Sequence, residues 1–295
     1  MDQAGNPQLI QEEISPAVAT TFSGVDIQEE LTTRDQSVFQ FNEEDFTRNG
    51  TLLSFEKPAN ATNSKLILRA KNSLWLDYLY GQLAEKFGHR YETWMAERAE
   101  LPTEERVQKL LENEIPLSIY LKQQNEWVRV EYLHTVGPLA ARDFVIPLDL
   151  TLMEEETIEV KIETGFMFWE LDYVAMDFSP NTEVDVQKAF LLSANGTNGI
   201  DWREALQATD EDYMGQLTIG EVTQLEFAAP QPPAGKTQTA FLHTRGYYEL
   251  IRDFSGPAQI KELNKFKTPG YFAEFSRTQY LKRYQELLRP ALVDQ

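Results

Sequence analysis

Apolar residues recur along the chain at two spacings. From Ser37 onward they alternate with polar ones. Val38, Phe39 and Phe41 form a short β-prone run, and Thr51 to Phe55 forms another. Lys65 to Lys71 places Leu66, Leu68 and Ala70 on one side of a strand. The period then lengthens. Asn72 or Ser73 is a suitable helix cap, and Leu76, Leu79, Leu83 and Phe87 follow at helical spacing up to Gly88. Tyr91, Trp94 and Met95 predict a further turn or two. Thr103 with Glu104 and Glu105 opens a second helix with Val107, Leu110 and Leu111 as its apolar stripe.

Alternation returns at Pro116. Leu117, Ile119 and Leu121 predict a strand, Gln123 to Glu126 a turn, and Trp127 to Tyr132 the return strand of a hairpin. Phe144 to Leu150 reads as a strand that Pro147 confines to an edge or bulge. Thr157 to Glu163 alternates with Ile158, Val160 and Ile162 inward. Phe166 to Phe178 is apolar on both faces apart from its acids, which predicts a central strand covered on both sides. Val186 to Leu192, Gln224 to Phe227 and Thr239 to Thr244 are further strand candidates. Gln259 to Phe266 and Thr278 to Leu288 read as helices, the second with Leu281, Tyr284 and Leu288 on one face.

This pattern predicts a mainly β fold: a jelly-roll β-sandwich with an α-helical insertion at 74–112 and a helical C-terminus. Residues 1–35 read as a flexible acidic tail or linker able to pack against the body, and 36–180 as the sandwich. Residues 181–256 read as strands extending the same body, and 257–295 as C-terminal helices.

Composition narrows the function classes. The 295 residues carry 47 acidic and 27 basic side chains, a net charge of -20. Such a chain repels phosphate backbones, so no nucleic-acid partner is expected. There is no cysteine, which removes disulfides, thiolate zinc sites and cysteine nucleophiles. No apolar run is long enough to span a membrane, and the first residues do not read as a signal peptide. The expected location is exported, periplasmic or cell-surface with a targeting segment outside this sequence, and peripheral or lipid-anchored membrane association fits it; cytoplasmic is the alternative. No cofactor is expected. Calcium is the cation this acidity would suit, given converging oxygen ligands.

The run from Lys65 to Ser179 resembles a galactose-binding-like jelly roll. The resemblance is carried by Leu66-Ile-Leu-Arg-Ala-Lys-Asn72, the hairpin of Ser118–Lys122 with Trp127–Val130, Val145–Leu150, Ile158–Ile162 and Phe168-Trp-Glu-Leu-Asp-Tyr-Val-Ala-Met-Asp177. Asp210–Tyr213 and Phe241-Leu-His-Thr-Arg-Gly-Tyr-Tyr248 are similar to segments of uncharacterised exported bacterial proteins carrying such a sandwich. The resemblance implies a non-catalytic binding or assembly role at the cell envelope, with a protein subunit or a glycan as partner.

Glu170 and Asp172 are the sharpest chemical feature. Two apart in a strand, they are expected on one face beside Phe168, Val174 and Met176, about 6.5–7 Å from each other. Such a pair can do general acid/base work, so the alternative function is a carbohydrate-active, glycoside hydrolase-like enzyme. The structural expectation is that one acid pairs with an arginine such as Arg69 or Arg142 and the other accepts backbone amides. Arg245 with Tyr247 and Tyr248 is a second candidate for ligand contact. The basic stretch Lys261 to Arg289 either docks on the acidic body or meets an acidic partner or membrane surface. His89, His134 and His243 stand in no metal-binding spacing, and no Gly-x-Ser-x-Gly or nucleotide-binding motif occurs.

Overall fold

The computed structural model describes residues 2–181, 184–232, 234–246 and 254–293. Among them are eleven strands in three antiparallel sheets and five α-helices. The chain divides into two compact units. One is Met1–Thr182 with Asp253–Gln295; the other is Glu183–Arg252. Residues 181–256, read from the sequence as strands of a single body, thus fall mostly in a unit of their own.

The larger unit contains two sheets. Strands β1 (Val18–Thr21), β3 (Arg48–Glu56), β8 (Thr157–Gly165), β5 (Leu117–Gln123) and β6 (Glu126–Leu133) form one, in that spatial order. Strands β2 (Phe39–Gln40), β9 (Trp169–Asp177), β4 (Asn63–Asn72) and β7 (Arg142–Asp149) form the other. The alternating residues meet in one core. Leu53, Phe55, Ile119, Leu121, Val160 and Ile162 from the first sheet pack with Leu66, Leu68, Ile146, Leu171, Val174 and Met176 from the second, a sandwich-like arrangement.

The β5–β6 hairpin turns through Gln124 and Asn125, both with positive φ (48° and 67°). That twist matches the right-handed twist of the paired strands. None of the four sheet edges is a long, regular strand. β1 and β2 have four and two residues, β7 contains Pro147, and β6 is bulged opposite Ile119 and Tyr120. Each device leaves an edge less able to pair with another chain.

The helical insertion follows β4. Ser73 is the cap, its hydroxyl accepting the Leu76 amide at 3.0 Å, and α1 runs Leu74–Glu85. The Asn72 side chain instead accepts amides from Val136 and Gly137 at 2.7 and 3.0 Å. Gly88 begins a 3-10 turn with φ +49°, and a Cβ there would lie 2.3 Å from the Gly256 carbonyl oxygen, so glycine is required. Helices α2 (Tyr91–Ala99) and α3 (Thr103–Glu112) complete the insertion. At the C-terminus α4 spans Ile260–Lys265 and α5 spans Tyr271–Val293. Helix α5 starts earlier than its sequence pattern predicts, because Phe272, Ala273, Phe275 and Ser276 are buried against the body. The Leu288 side chain lies outside the described residues.

The N-terminal segment packs against the body rather than hanging free. Ile14 bridges Met176, Val18–Thr21 pairs with β3, and Ile10 packs on the outer cluster of Ile67, Tyr173 and Ala175. In the smaller unit, β10 (Leu191–Gly196) pairs with β11 (Thr223–Phe227), and Thr239 to Thr244 is not a strand. Ala194 is the one buried hydrophobic residue among this unit's described residues.

Candidate functional site

Strand β9 lies between β2 and β4, and all nine of its residues are buried, as its apolar faces predict. Its parity is not what simple alternation predicts. The register slips between Arg69 and Ala70, which face Tyr173 and Leu171, so Asp172 is the extra residue of a bulge. Trp169, Leu171, Val174 and Met176 therefore enter the core, while Tyr173 and Ala175 join Ile67 in a separate cluster. Glu170 and Asp172 are not on the face of Phe168, Val174 and Met176. They lie on the outer face, where the Gln36 amide meets Asp172 and Lys71 meets Glu170.

Each acid has a cation of its own. Asp172 Oδ2 accepts from Arg69 Nε at 2.9 Å, and its Oδ1 accepts the Gln36 amide at 3.0 Å. Glu170 Oε2 lies 2.9 Å from Lys71 Nζ on the neighbouring strand. Arg69 also reaches Asp143 at 3.0 Å, and Arg34 joins Asp143 to Glu13. Arg34 stacks 3.8 Å above the Tyr173 ring, whose hydroxyl donates to Glu13 at 2.7 Å. The Arg34 hydrogen bond holds the Glu13 carboxyl below its ordinary value, against the opposing effect of burial. Burial and the neighbouring Glu13 push the Tyr173 hydroxyl up to about 12. Four carboxylates (Glu13, Asp143, Glu170, Asp172) and three cations (Arg34, Arg69, Lys71) thus form a network that clasps the N-terminal cover to the sheet through Glu13 and Arg34. Neither the depression lined by Gln11, Ile14 and Phe178 nor the one lined by Thr21, Val38 and Phe39 includes Glu170 or Asp172.

Arg142 is exposed at the start of β7, opposite Ala70, and is not the partner of Asp172; Arg69 is. Arg245 lies in the smaller unit, 3.2 Å from Glu211 and 5.8 Å from the Tyr213 ring centroid. Tyr247 and Tyr248 lie outside the described residues. No three acidic or histidine side chains converge as a metal site among the described residues. Within the basic C-terminal stretch, Arg277 donates to the Glu44 carbonyl and Arg283 stacks on Tyr78 at 4.6 Å.

Two polar clusters were invisible to motif reading. Asp177 closes β9 and binds the N-terminal segment through backbone amides. Glu114, with φ +60°, follows the helical insertion, and its carbonyl accepts from the Gly165 amide and the Thr164 hydroxyl. Arg48 bridges the Glu114 and Glu163 carboxylates at 2.9 Å each, and Lys161 lies 2.6 Å from Glu163. Glu114 Oε2 is buried without a hydrogen-bond partner. Burial raises the Glu114 carboxyl above its ordinary 4.5, only partly opposed by Arg48. A carboxyl raised in the fold opposes folding once it ionises, so its cost grows as pH rises above 4.5. Glu114→Gln is expected to flatten the stability profile between pH 5 and 8 and to leave stability at pH 8 equal or higher. A loss above about 2 kcal/mol at pH 8 in urea denaturation would show that the Arg48 pair outweighs desolvation.

No family model matches the chain, and no curated protein matches it.

Proposed function

We propose that this chain is a non-catalytic binding or accessory subunit of the cell envelope, built on a galactose-binding-like jelly roll. The order in which the chain visits its two large sheets supports the jelly-roll part. β3 lies in the five-stranded sheet and β4 in the four-stranded one. The β5–β6 hairpin returns to the first, β7 to the second, β8 to the first and β9 to the second. Crossing between facing sheets at nearly every connection is the habit of double-sheet jelly rolls. The envelope location and the class of partner, a glycan or a protein subunit, rest on the resemblance of residues 65–179, 210–213 and 241–248.

The observation that carries the non-catalytic reading is the state of the acid pair. Asp172 is 1% exposed and Glu170 9%, each is met by a cation, and the N-terminal segment supplies the Gln36 amide. A general acid or nucleophile must reach a substrate, and here Asp172 is engaged by Arg69 and the Gln36 amide and Glu170 by Lys71 of the neighbouring strand. The test is to assay the full chain and its Glu170→Gln variant on a panel of aryl glycosides. No turnover above background is expected for either, with a lower melting temperature for the variant. Turnover by the native chain that disappears in a variant of unchanged melting temperature would establish the glycoside hydrolase-like alternative instead.

A further inference from the structure

Leu117, Ile119 and Leu121 of β5 and Ile158, Val160 and Ile162 of β8 point into the core. Their neighbours therefore stand on the outer face of the five-stranded sheet. There the register aligns side chains in three rows across β8, β5 and β6. Glu163, Ser118 and Tyr132 form one row; Lys161, Tyr120 and Arg129 form the next. Lys122 pairs with Trp127 in the third, and Glu159 reaches Lys122 at 2.6 Å. Rows two residues apart on adjacent strands cover roughly 13 by 10 Å.

The array pairs rings with cations. Lys161 Nζ lies 4.2 Å from the Tyr120 ring centroid and 5.6 Å from that of Trp127. Lys122 lies 5.8 Å from the Trp127 ring and Arg129 5.8 Å from the Tyr132 ring. The three rings are partly exposed, and Ser118, in the row of Glu163 and Tyr132, is buried. Three cations (Lys122, Lys161, Arg129) against two acids (Glu159, Glu163) leave a local excess of one positive charge, on a chain of net charge -20.

We propose that this array binds a short acidic oligosaccharide, with sugar faces on Trp127 and Tyr120 and a sugar carboxylate at Arg129, the exposed cation left over once Glu163 meets Lys161 and Glu159 meets Lys122. The proposal rests on the non-catalytic binding reading above and gives its ligand class. Aromatic rings offer apolar faces of the size of a sugar ring, and fixed ion pairs offer donors and acceptors to its hydroxyls. The local cation excess selects a carboxylate. The negative charge of the whole chain disfavours a densely phosphorylated polymer.

The test is calorimetric titration of the full chain with trisaccharides of galacturonate, glucuronate and mannuronate, beside their neutral counterparts. At least one hexuronate is expected to bind about tenfold more tightly than its neutral form. Trp127→Ala and Arg129→Gln are each expected to weaken that binding about tenfold, and Trp127→Phe to retain most of it because a ring remains. Absence of hexuronate binding overturns the proposal. So does binding unaffected by either substitution, or binding of a polyglutamate peptide in place of every sugar. Absent binding removes the array alone, because the non-catalytic reading falls only to turnover that depends on Glu170.

Discussion

Trp169→Ala is expected to lower the unfolding free energy by about 3–5 kcal/mol, the cost of deleting a large buried aromatic side chain. Trp169 opens β9 and is fully buried in the common core. It meets Phe144 edge-on, with centroids 6.5 Å apart. Its indole Nε1 donates to the Ile115 carbonyl at 2.8 Å, just where the chain leaves the helical insertion and enters β5. Alanine there leaves a cavity and an unsatisfied buried carbonyl together. Trp169→Phe keeps most of the volume and loses the hydrogen bond, so it should cost clearly less. Urea denaturation midpoints give the comparison. A loss below about 1 kcal/mol for the alanine variant would mean that the site collapses and the indole is not a keystone of the core.

Asp177→Ala is expected to have a comparable effect by a different route. Asp177 is fully buried and accepts amides from Gln11 at 2.5 Å, Glu12 at 3.2 Å and Ser179 at 2.5 Å. The Ser179 hydroxyl also donates to it. Lys65 Nζ sits 3.7 Å away and donates to the Leu9 and Ser179 carbonyls at 2.6 Å each. Removing the carboxylate strands buried Lys65 and frees the N-terminal cover, a loss of about 3–5 kcal/mol for a broken buried pair. Burial opposes ionisation of Asp177, but the Ser179 and backbone hydrogen bonds prevail and hold its carboxyl below the ordinary 3.8. A depressed folded-state value stabilises the fold above 3.8, and that contribution is lost as pH falls below it. The native chain should therefore lose stability more steeply than the variant in that acid range. Hydrogen exchange supplies a local readout: the amides of residues 9–14 should exchange faster in the variant. Unchanged protection there would show that the cover is held by other contacts.

The sheets were legible because their strands carry clean period-two patterns. Ile158, Val160 and Ile162 point inward as read, and Pro147 marks an edge strand. The turn at Gln124 and Asn125 closes the hairpin where the pattern requires one. The acid pair was half legible. Its cations were foreseen in kind, and Arg69 was named, but its face was not. A bulge at Asp172 reverses parity without leaving a mark in the pattern, since every residue of β9 is buried whichever way it points. The particular contacts of the N-terminal cover were not legible for a related reason. Its contacts run through backbone amides of Gln11, Glu12 and Gln36 and through single side chains such as Ile10, which have no periodicity. Helix α5 was read too short because Phe272, Ala273 and Phe275 lie between Pro269-Gly270 and a polar stretch, and three apolar residues give no period.

The central claim is that the carboxylates of β9 hold the structure together. Chemical denaturation of Asp172→Asn tests it most directly. The substitution keeps the size of the side chain and removes the charge facing Arg69. The expected result is a loss of about 1–3 kcal/mol with an unchanged denaturant slope, because a buried charge-assisted hydrogen bond is broken within an intact fold. A variant as stable as the native chain, or more so, would contradict the claim and return Asp172 to the residues that a protein keeps for chemistry at the expense of stability.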